Sequence, residues 1–213
     1  MKILNLYAGI GGNRKLWDGD IQVTAVEIDP DIAAVYQNFF PEDTVIVGDA
    51  HDYLLNHYSE FDFIWSSPPC QTHSKLNMVL KTQGTIRFPD MKLYQEIIFL
   101  KHFFDGKWVV ENVVSYYKPL IEPARFCRHY FWSNFLIKHK EIKYKTSGNI
   151  GGKTWFGVKK LQGILGFSID EFKIEKMTKK QVLNNCMNPE LGKHIFDCAM
   201  GSIINEKQLE LFG

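Results

Sequence analysis

Short apolar runs alternate with helical segments along this chain, and they end in turn on glycine, acid or proline. No other feature restricts the fold as much. Residues 2–7 (KILNLY) make a strand-length run closing on Ala8-Gly9-Ile10-Gly11-Gly12, followed by a helix-like stretch through Leu16 and Trp17. Residues 21–28 (IQVTAVEI) predict a second strand, broken by Asp29-Pro30, and a helical segment then runs to Phe40. A third strand at Thr44–Val47 ends at Gly48-Asp49, and a fourth at 61–65 (FDFIW) runs into Ser66-Ser67-Pro68-Pro69-Cys70. Residues 94–104 have helical spacing, with apolar side chains at 97, 98, 100, 103 and 104. Trp108-Val109-Val110 is a fifth strand ending at Glu111-Asn112, and 131–137 is a sixth. Strands alternating with helices in this way predict an α/β fold with a doubly wound, mostly parallel sheet. Such sheets bind ligands at the C-terminal ends of their strands. The glycines, Glu27, Asp49, Cys70 and Glu111 all fall there.

The length of 213 residues suits one domain, or one domain with a small lobe, and 45% hydrophobic content can fill a substantial core. Disorder and collagen-like repeats are excluded by the same composition. No run of 18 apolar residues occurs, and the apolar N-terminus is too short for a signal peptide, so a cytoplasmic setting with reduced thiols is expected. The cysteines at 70, 127, 186 and 198 contain no CxxC pair, which argues against a zinc site. Cys127, Cys186 and Cys198 read as small buried side chains. A net charge of +1 does not announce a nucleic-acid binder, so such a role has to rest on local charge.

The glycines at 9, 11 and 12 allow the backbone to approach a ligand closely at a helix N-terminus. A dinucleotide fingerprint would need glycine at position 14, where Arg14 stands, so a nicotinamide oxidoreductase is a poor reading. Glu27 can accept both hydroxyls of a ribose, or be a solvated acid at a strand end. Asp49 can accept from an adenine amino group, or cap a helix. Glycines and acids on three successive strand ends suit an adenosine ligand without a pyrophosphate. S-adenosylmethionine is the natural candidate.

In Pro68-Pro69-Cys70-Gln71 the prolines fix the backbone as the strand ends and hold the thiol at the edge of the sheet. Glu111 ends the next strand, and a carboxyl and a thiol so placed can face one substrate from two sides. With these residues the chain resembles the DNA cytosine-5 methyltransferases over nearly its whole length. Tyr7-Ala8-Gly9-Ile10-Gly11-Gly12 is similar to their cofactor loop, with Tyr where Phe is usual. Pro68 to Gln71 with Ser74 resembles the nucleophile motif, and Glu111-Asn112-Val113 the ENV motif. Leu161-Gln162-Gly163 through Phe167 resembles the LQGF segment. Asn185-Cys186-Met187-Asn188-Pro189 with Leu191-Gly192-Lys193 resembles the closing motif, although Asn184 stands where a glycine is usual. The QxRxR motif has no clean match. Arg125 and Arg128 are nearest to it, and Arg128 is preferred because it is closer to the apolar strand.

The resemblance implies a Rossmann-like methyltransferase sheet over 1–136, a reduced target-recognition segment over 137–178 and a C-terminal segment, 179–213, packed on the core. It implies S-adenosylmethionine as cofactor, held by Tyr7, Ala8, Gly9, Ile10, Gly11, Gly12, Glu27, Ile28, Asp49, Ala50, Pro68, Asn185 and Met187. It implies double-stranded DNA as substrate, with base flipping, and neither metal nor membrane. Cys70 would attack cytosine C6, Glu111 would bond N3 and the amino edge, and Arg128 or Arg125 would hold O2. Residues 71–87 would close on the DNA with Lys75, Lys81 and Arg87 on phosphates. His73 reads as a solvated loop residue. A restriction-modification role in a bacterial or phage-infected cell is the implied setting. The alternatives are an RNA (tRNA) cytosine-5 methyltransferase on the same scaffold and a DNA-binding subunit of a split enzyme. Having both Cys70 and Glu111 argues against a silent subunit.

Between 138 and 160 there are seven lysines and one acid, Glu141, with Gly148, Gly151 and Gly152 marking a turn. This span is too short for a core of its own. Its lysines supply affinity for phosphates but little sequence information. Asn149, Lys153 and Gln162, with Asn77 and Gln83 of the closing loop, are the candidates for base readout. The expectation is a target of roughly two to four base pairs, unless a second chain supplies recognition.

Overall fold

β1 (Lys2–Leu6) is buried at every position after Lys2, as a strand covered on both faces of a parallel sheet must be. The structure is a computed structural model and describes residues 1–85, 87–142 and 156–202. β2 (Gln22–Glu27) and β4 (Phe63–Ser66) flank β1 and run parallel to it, with Leu6 opposite Val26 on one side and Ser66 on the other. β3 (Thr44–Val47) pairs outside β2, and β5 (Lys107–Val113) pairs outside β4, again in parallel. β7 (His129–Ser133) runs antiparallel to β5 and forms a hairpin with β6 (Ala124–Phe126). Among the described residues the order is β3-β2-β1-β4-β5-β7-β6. The order reverses between β1 and β4, which makes the C-terminal ends of those strands the ligand crevice of an open α/β sheet.

The helices start where local chemistry allows. α1 (Pro30–Phe39) has proline in its first turn and Asp29 accepting from the Asp31 amide. α2 (Ala50–His57) is capped by Asp49, whose side chain accepts from the His51 and Asp52 amides. α3 (Leu76–Thr82) lies within the expected closing loop. α4 (Lys92–Phe103) buries Leu93, Ile97 and Leu100 in the cluster that holds Leu6, Ile64 and Val110, while Ile98 and Phe103 face outward.

The chain divides into two bodies. Met1–Ala8 and Asp20–Asn134 form the first, which contains the sheet and α1 to α4. Gly9–Gly19 and the described part of Phe135–Gly213 form the second, with α5 (Val158–Leu165), α6 (Lys179–Asn185) and α7 (Pro189–Met200). Residues 12–16 are consecutive turns rather than the expected helix. Gly9 and Gly11 stand at φ +54° and +81°, and α7 presses on the stretch that follows. Trp17 stacks on Phe196 with ring centroids 5.0 Å apart and donates to the Gly192 carbonyl at 3.4 Å. A Cβ on Gly192 would stand 2.5 and 2.6 Å from Asn13 backbone atoms, and one on Gly12 would strike the Met187 carbonyl and the Cys186 sulfur.

The expectation for the sixth strand changes. The sixth strand starts at His129 and ends at Ser133, two residues earlier and four shorter at its far end than 131–137, because a two-residue turn at Cys127-Arg128 folds it back on β6. β5 runs through Glu111 and Asn112, where the strand is expected to end, to Val113. β4 pairs with it only as far as Val110, but β7 pairs with it up to Val113. Asn149, Lys153 and the glycine turn at 148–152 lie outside the described residues. Among the described residues no helix is long and apolar enough to cross a membrane.

Gly192→Ala is expected to destabilise the protein by about 1–3 kcal/mol, because the new methyl has only backbone to displace. Gly163 in α5 has open space around a Cβ, so Gly163→Ala should stabilise by about 0.5–1 kcal/mol. Urea midpoints of the two variants against the parent check both signs.

Candidate active site and cofactor pocket

At the C-terminal ends of β1 to β3, Tyr7, Ile28, Asp49 and Ala50 surround a cavity of about 230 Å³, completed by Pro69, Asp90 and Lys92. Asp49 spends Oδ1 on capping α2, at 2.8 and 3.1 Å from the His51 and Asp52 amides. Its Oδ2 faces the Lys92 ammonium at 3.8 Å. Partial burial opposes its ionisation, but the two amides and the Lys92 charge outweigh this and hold the carboxyl below its ordinary range. Glu27 is half-buried, and its Oε1 accepts from the Asp29 amide at 3.0 Å. A larger recess of about 410 Å³ lies at the opposite ends of these strands, lined by Lys2, Gln22, Thr44 and Glu60. None of the expected site residues lines it.

Beneath the smaller cavity lies a residue that sequence reasoning missed. Glu96 of α4 is fully buried. It accepts from the Tyr7 hydroxyl and the Ser66 hydroxyl, each at 2.6 Å, and lies 2.9 Å from Nδ1 of buried His51. One carboxylate thus ties the end of β1, the end of β4 and the first turn of α2 together. The signal was an acid among the buried positions 93, 94, 97 and 100 of one helix. The hydrogen bond to Glu96 raises the pKa of His51, and burial with Glu96 beside it lifts Tyr7 far above the ordinary phenol range. Tyr7 keeps a left-handed φ of +55°, a conformation that a tethered side chain can sustain where the free backbone would not.

Cys70 follows β4 through Pro68-Pro69 and is held from both sides. Asn112 of β5 donates to the Pro68 carbonyl at 3.0 Å, and the Cys70 carbonyl accepts from the His73 and Ser74 amides. Burial, with the nearby Glu111 charge, pushes the Cys70 thiol up to about 11. Glu111 is buried, and its Oε1 lies 2.5 Å from Nδ1 of His129. His73 is not solvated as expected. It is 1% exposed and bonded through Nδ1 to Tyr117, and burial lowers its pKa. The β6–β7 hairpin that carries the arginines meets Glu111 with His129, while Arg125 and Arg128 have exposed side chains.

The sequence matches the C-5 cytosine-specific DNA methylase family over residues 1–150. The chain belongs to this family. No curated protein matches it. Among solved structures it is similar to a variant of DNMT2 from Spodoptera frugiperda, at 14% identity and TM-score 0.58, covering 93% of this chain and 99% of that one. It is also similar to the Entamoeba histolytica methyltransferase EhMeth, at 13% identity and TM-score 0.52, covering 96% and 99%. These likenesses bear on the fold, a mostly parallel seven-stranded sheet with flanking helices.

S-adenosylmethionine is the cofactor of this C-5 cytosine methylase. The residues present fit it. The cavity of about 230 Å³ is smaller than the roughly 300–1,000 Å³ of pockets for whole drug-sized ligands, and so suits the adenosine end. Asp49 Oδ2 is not used in the cap, and Glu27 stands at the next strand end. In the second body of the methylase, Asn185 is exposed at the end of α6, Met187 is buried, and Asn188 caps α7. Two readout candidates are taken up internally. Buried Gln162 donates to Asp170 at 3.0 Å, and buried Asn77 donates to the Thr72 and Arg87 carbonyls. Gln83 caps the C-terminal end of α3 and is exposed. Cys127 is exposed at the hairpin turn with φ +54°, against its expected burial, whereas Cys198 is buried and Cys186 half-buried. Among the described residues no group of three or more His, Cys, Asp or Glu is placed to hold a metal.

Two outcomes follow from the electrostatics. Glu111→Gln removes the charge that helps raise the Cys70 thiol, so Cys70 should alkylate faster with iodoacetamide at neutral pH. Peptide mapping separates it from exposed Cys127, and an unchanged rate would count against the coupling. The folded pKa of His51 is raised above 6.5. Its stabilising contribution is therefore complete below that value and lost as pH rises through the raised one. From pH 6.5 upward, the melting temperature of the parent should fall more than that of His51→Gln.

Proposed function

We propose that this methylase acts on cytosine in double-stranded DNA through a covalent bond between Cys70 and C6, with the target base flipped out of the helix. The observation that carries this reading is the placement of Cys70 and Glu111 just beyond the last paired residues of the adjacent strands β4 and β5, with Asn112 fastened to the Pro68 carbonyl between them. Cytosine C5 is too weak a nucleophile to take a methyl group unaided. The Cys70 thiol gives up its proton to water as sulfur bonds C6, and the ring electrons move toward C5. Glu111, protonated, donates to N3 and relieves the charge that builds on the ring. The cofactor, when bound, supplies an electrophilic methyl group. Once C5 is methylated, water takes its proton, the C5–C6 double bond re-forms and the C6–sulfur bond breaks, returning Cys70.

A thiol held near 11 is mostly protonated before substrate arrives. Glu111 is the source of part of that penalty, so protonating Glu111 against N3 also favours the thiolate. Binding of the base and activation of the nucleophile are thereby coupled. Flipping costs a few kcal/mol, which contacts to phosphates must offset. Lys75 and Lys81, flanking and within α3, are exposed and suited to this. For the cofactor, Tyr7, Ala8, Ile28, Ala50 and Pro68 would line the adenosine and methyl-donor positions, with Glu27 on the ribose and Asp49 on the adenine amino group. The family motifs add Gly9, Ile10, Gly11, Gly12, Asn185 and Met187. Arg128 is assigned to the O2 side of the base on the motif order.

Duplex DNA carrying 5-fluorocytosine should trap the protein covalently, since fluorine at C5 cannot leave as a proton does. Cys70→Ala should give no adduct. Trapping on fluorocytosine-containing tRNA but not on duplex DNA would move the substrate to RNA, and an adduct that survives Cys70→Ala would overturn the nucleophile. By calorimetry, Glu27→Ala should weaken S-adenosylmethionine binding by about 1–3 kcal/mol.

A further inference from the structure

His129 belongs to no assigned set of site residues, yet it makes the closest contact to the carboxyl that the proposed chemistry depends on. Its place follows from strand register. Glu111 stands opposite Phe131, and Val113 stands opposite His129. Directly opposed residues share a face, and so do residues two apart, which makes Glu111 and His129 diagonal neighbours on one face of the sheet. The imidazole is pinned at the corner where β7 begins, because His129 is also paired with Phe126 of β6. Phe131 walls it on one side, with ring centroids 6.2 Å apart. The Glu111 side chain is 11% exposed and that of His129 is 23% exposed, so the pair is largely withdrawn from water.

We propose that His129 is a positioning residue that occupies Oε1 of Glu111 and leaves Oε2 as the oxygen presented to the cytosine ring. The proposal rests on the reading that Glu111 meets N3. A carboxyl has two equivalent oxygens, and a proton on the wrong one cannot reach the base. With Nδ1–H donating to Oε1, that oxygen is already an acceptor, and the acid proton is held on Oε2. The same bond fixes the rotation of the carboxyl about its last torsion, which is otherwise broad. It serves Glu111 in both protonation states, since Oε1 accepts whether or not Oε2 carries hydrogen. At this contact the hairpin supplies an imidazole.

The test compares His129→Ala, His129→Asn and Glu111→Gln in methyl transfer to unmethylated genomic DNA, with cofactor affinity measured in parallel. Asparagine can place an amide N–H near the position of Nδ1, so it keeps the donor without an imidazole. His129→Ala should lose turnover by the order of 10²-fold, the scale for a misplaced reacting group. Its KM for DNA and its cofactor affinity should stay close to the parent's. His129→Asn should recover most of the lost turnover. Parental turnover in His129→Ala, or a His129→Asn variant as poor as alanine while binding cofactor normally, would overturn the proposal. Glu111→Gln separates the two levels. An inactive Glu111→Gln beside a fully active His129→Ala removes only the role of His129, whereas a fully active Glu111→Gln removes the role of Glu111 and with it this proposal.

Discussion

A carboxylate with no exposed surface holds the proposed cofactor end of this methylase together. Taking a charged Glu96 out of water costs several kcal/mol, and only hydrogen bonds and an opposite charge make that tolerable. Here the Tyr7 and Ser66 hydroxyls and the His51 ring supply them. Each donor is adjacent to something the site needs. Tyr7 opens the glycine loop, Ser66 is two residues before Pro68, and His51 follows Asp49 and Ala50. Removing any one partner leaves a buried acceptor short of a bond, so these segments are coupled in energy as well as in space.

The proposed chemical end depends on a different constraint, the unequal length of the pairing on the two sides of β5. β4 releases it after Val110 so that the chain can turn through Pro68-Pro69 to Cys70, while β7 keeps it extended through Val113. Glu111 is therefore the first residue beyond the β4 pairing and is still held rigidly by a strand. Asn112 then fastens the turn by donating to the Pro68 carbonyl. The thiol and the carboxyl inherit their placement from backbone hydrogen bonds, which are stiffer than any side-chain contact a loop could offer. Preorganisation of this kind is what an active site asks of its scaffold.

Much of this was legible in the chain. The alternation of apolar runs gave the parallel sheet, and Asp29-Pro30 and Asp49 marked two helix starts that the structure realises. Of the two readings of Asp49, the helix cap is realised by one oxygen, and the other oxygen faces Lys92. His73 and Glu96 were not legible. A histidine in a turn and a glutamate on a helix are usually solvated, and burial is decided by what other segments bring over them. For Gln162 and Asn77 the sequence offered amides suited to reading bases, but neighbouring backbone and Asp170 had already taken those amides.

By itself, the sequence determined the order of strands and helices, the family, the cofactor, and the identities of the groups at the strand ends. These depend on period, on proline and glycine geometry, and on residue type, all of which are local in the chain. Which groups meet was decided by the tertiary structure. Glu111 and His129 are 18 residues apart and become neighbours only through an antiparallel register. Glu96 reaches Tyr7 across 89 residues and His51 across 45. Gly12 and Gly192 are glycines because Met187 and Asn13 occupy the space where a Cβ would stand. Contacts of this range depend on the closure of the whole sheet and the packing of helices upon it, and no window of sequence contains both partners.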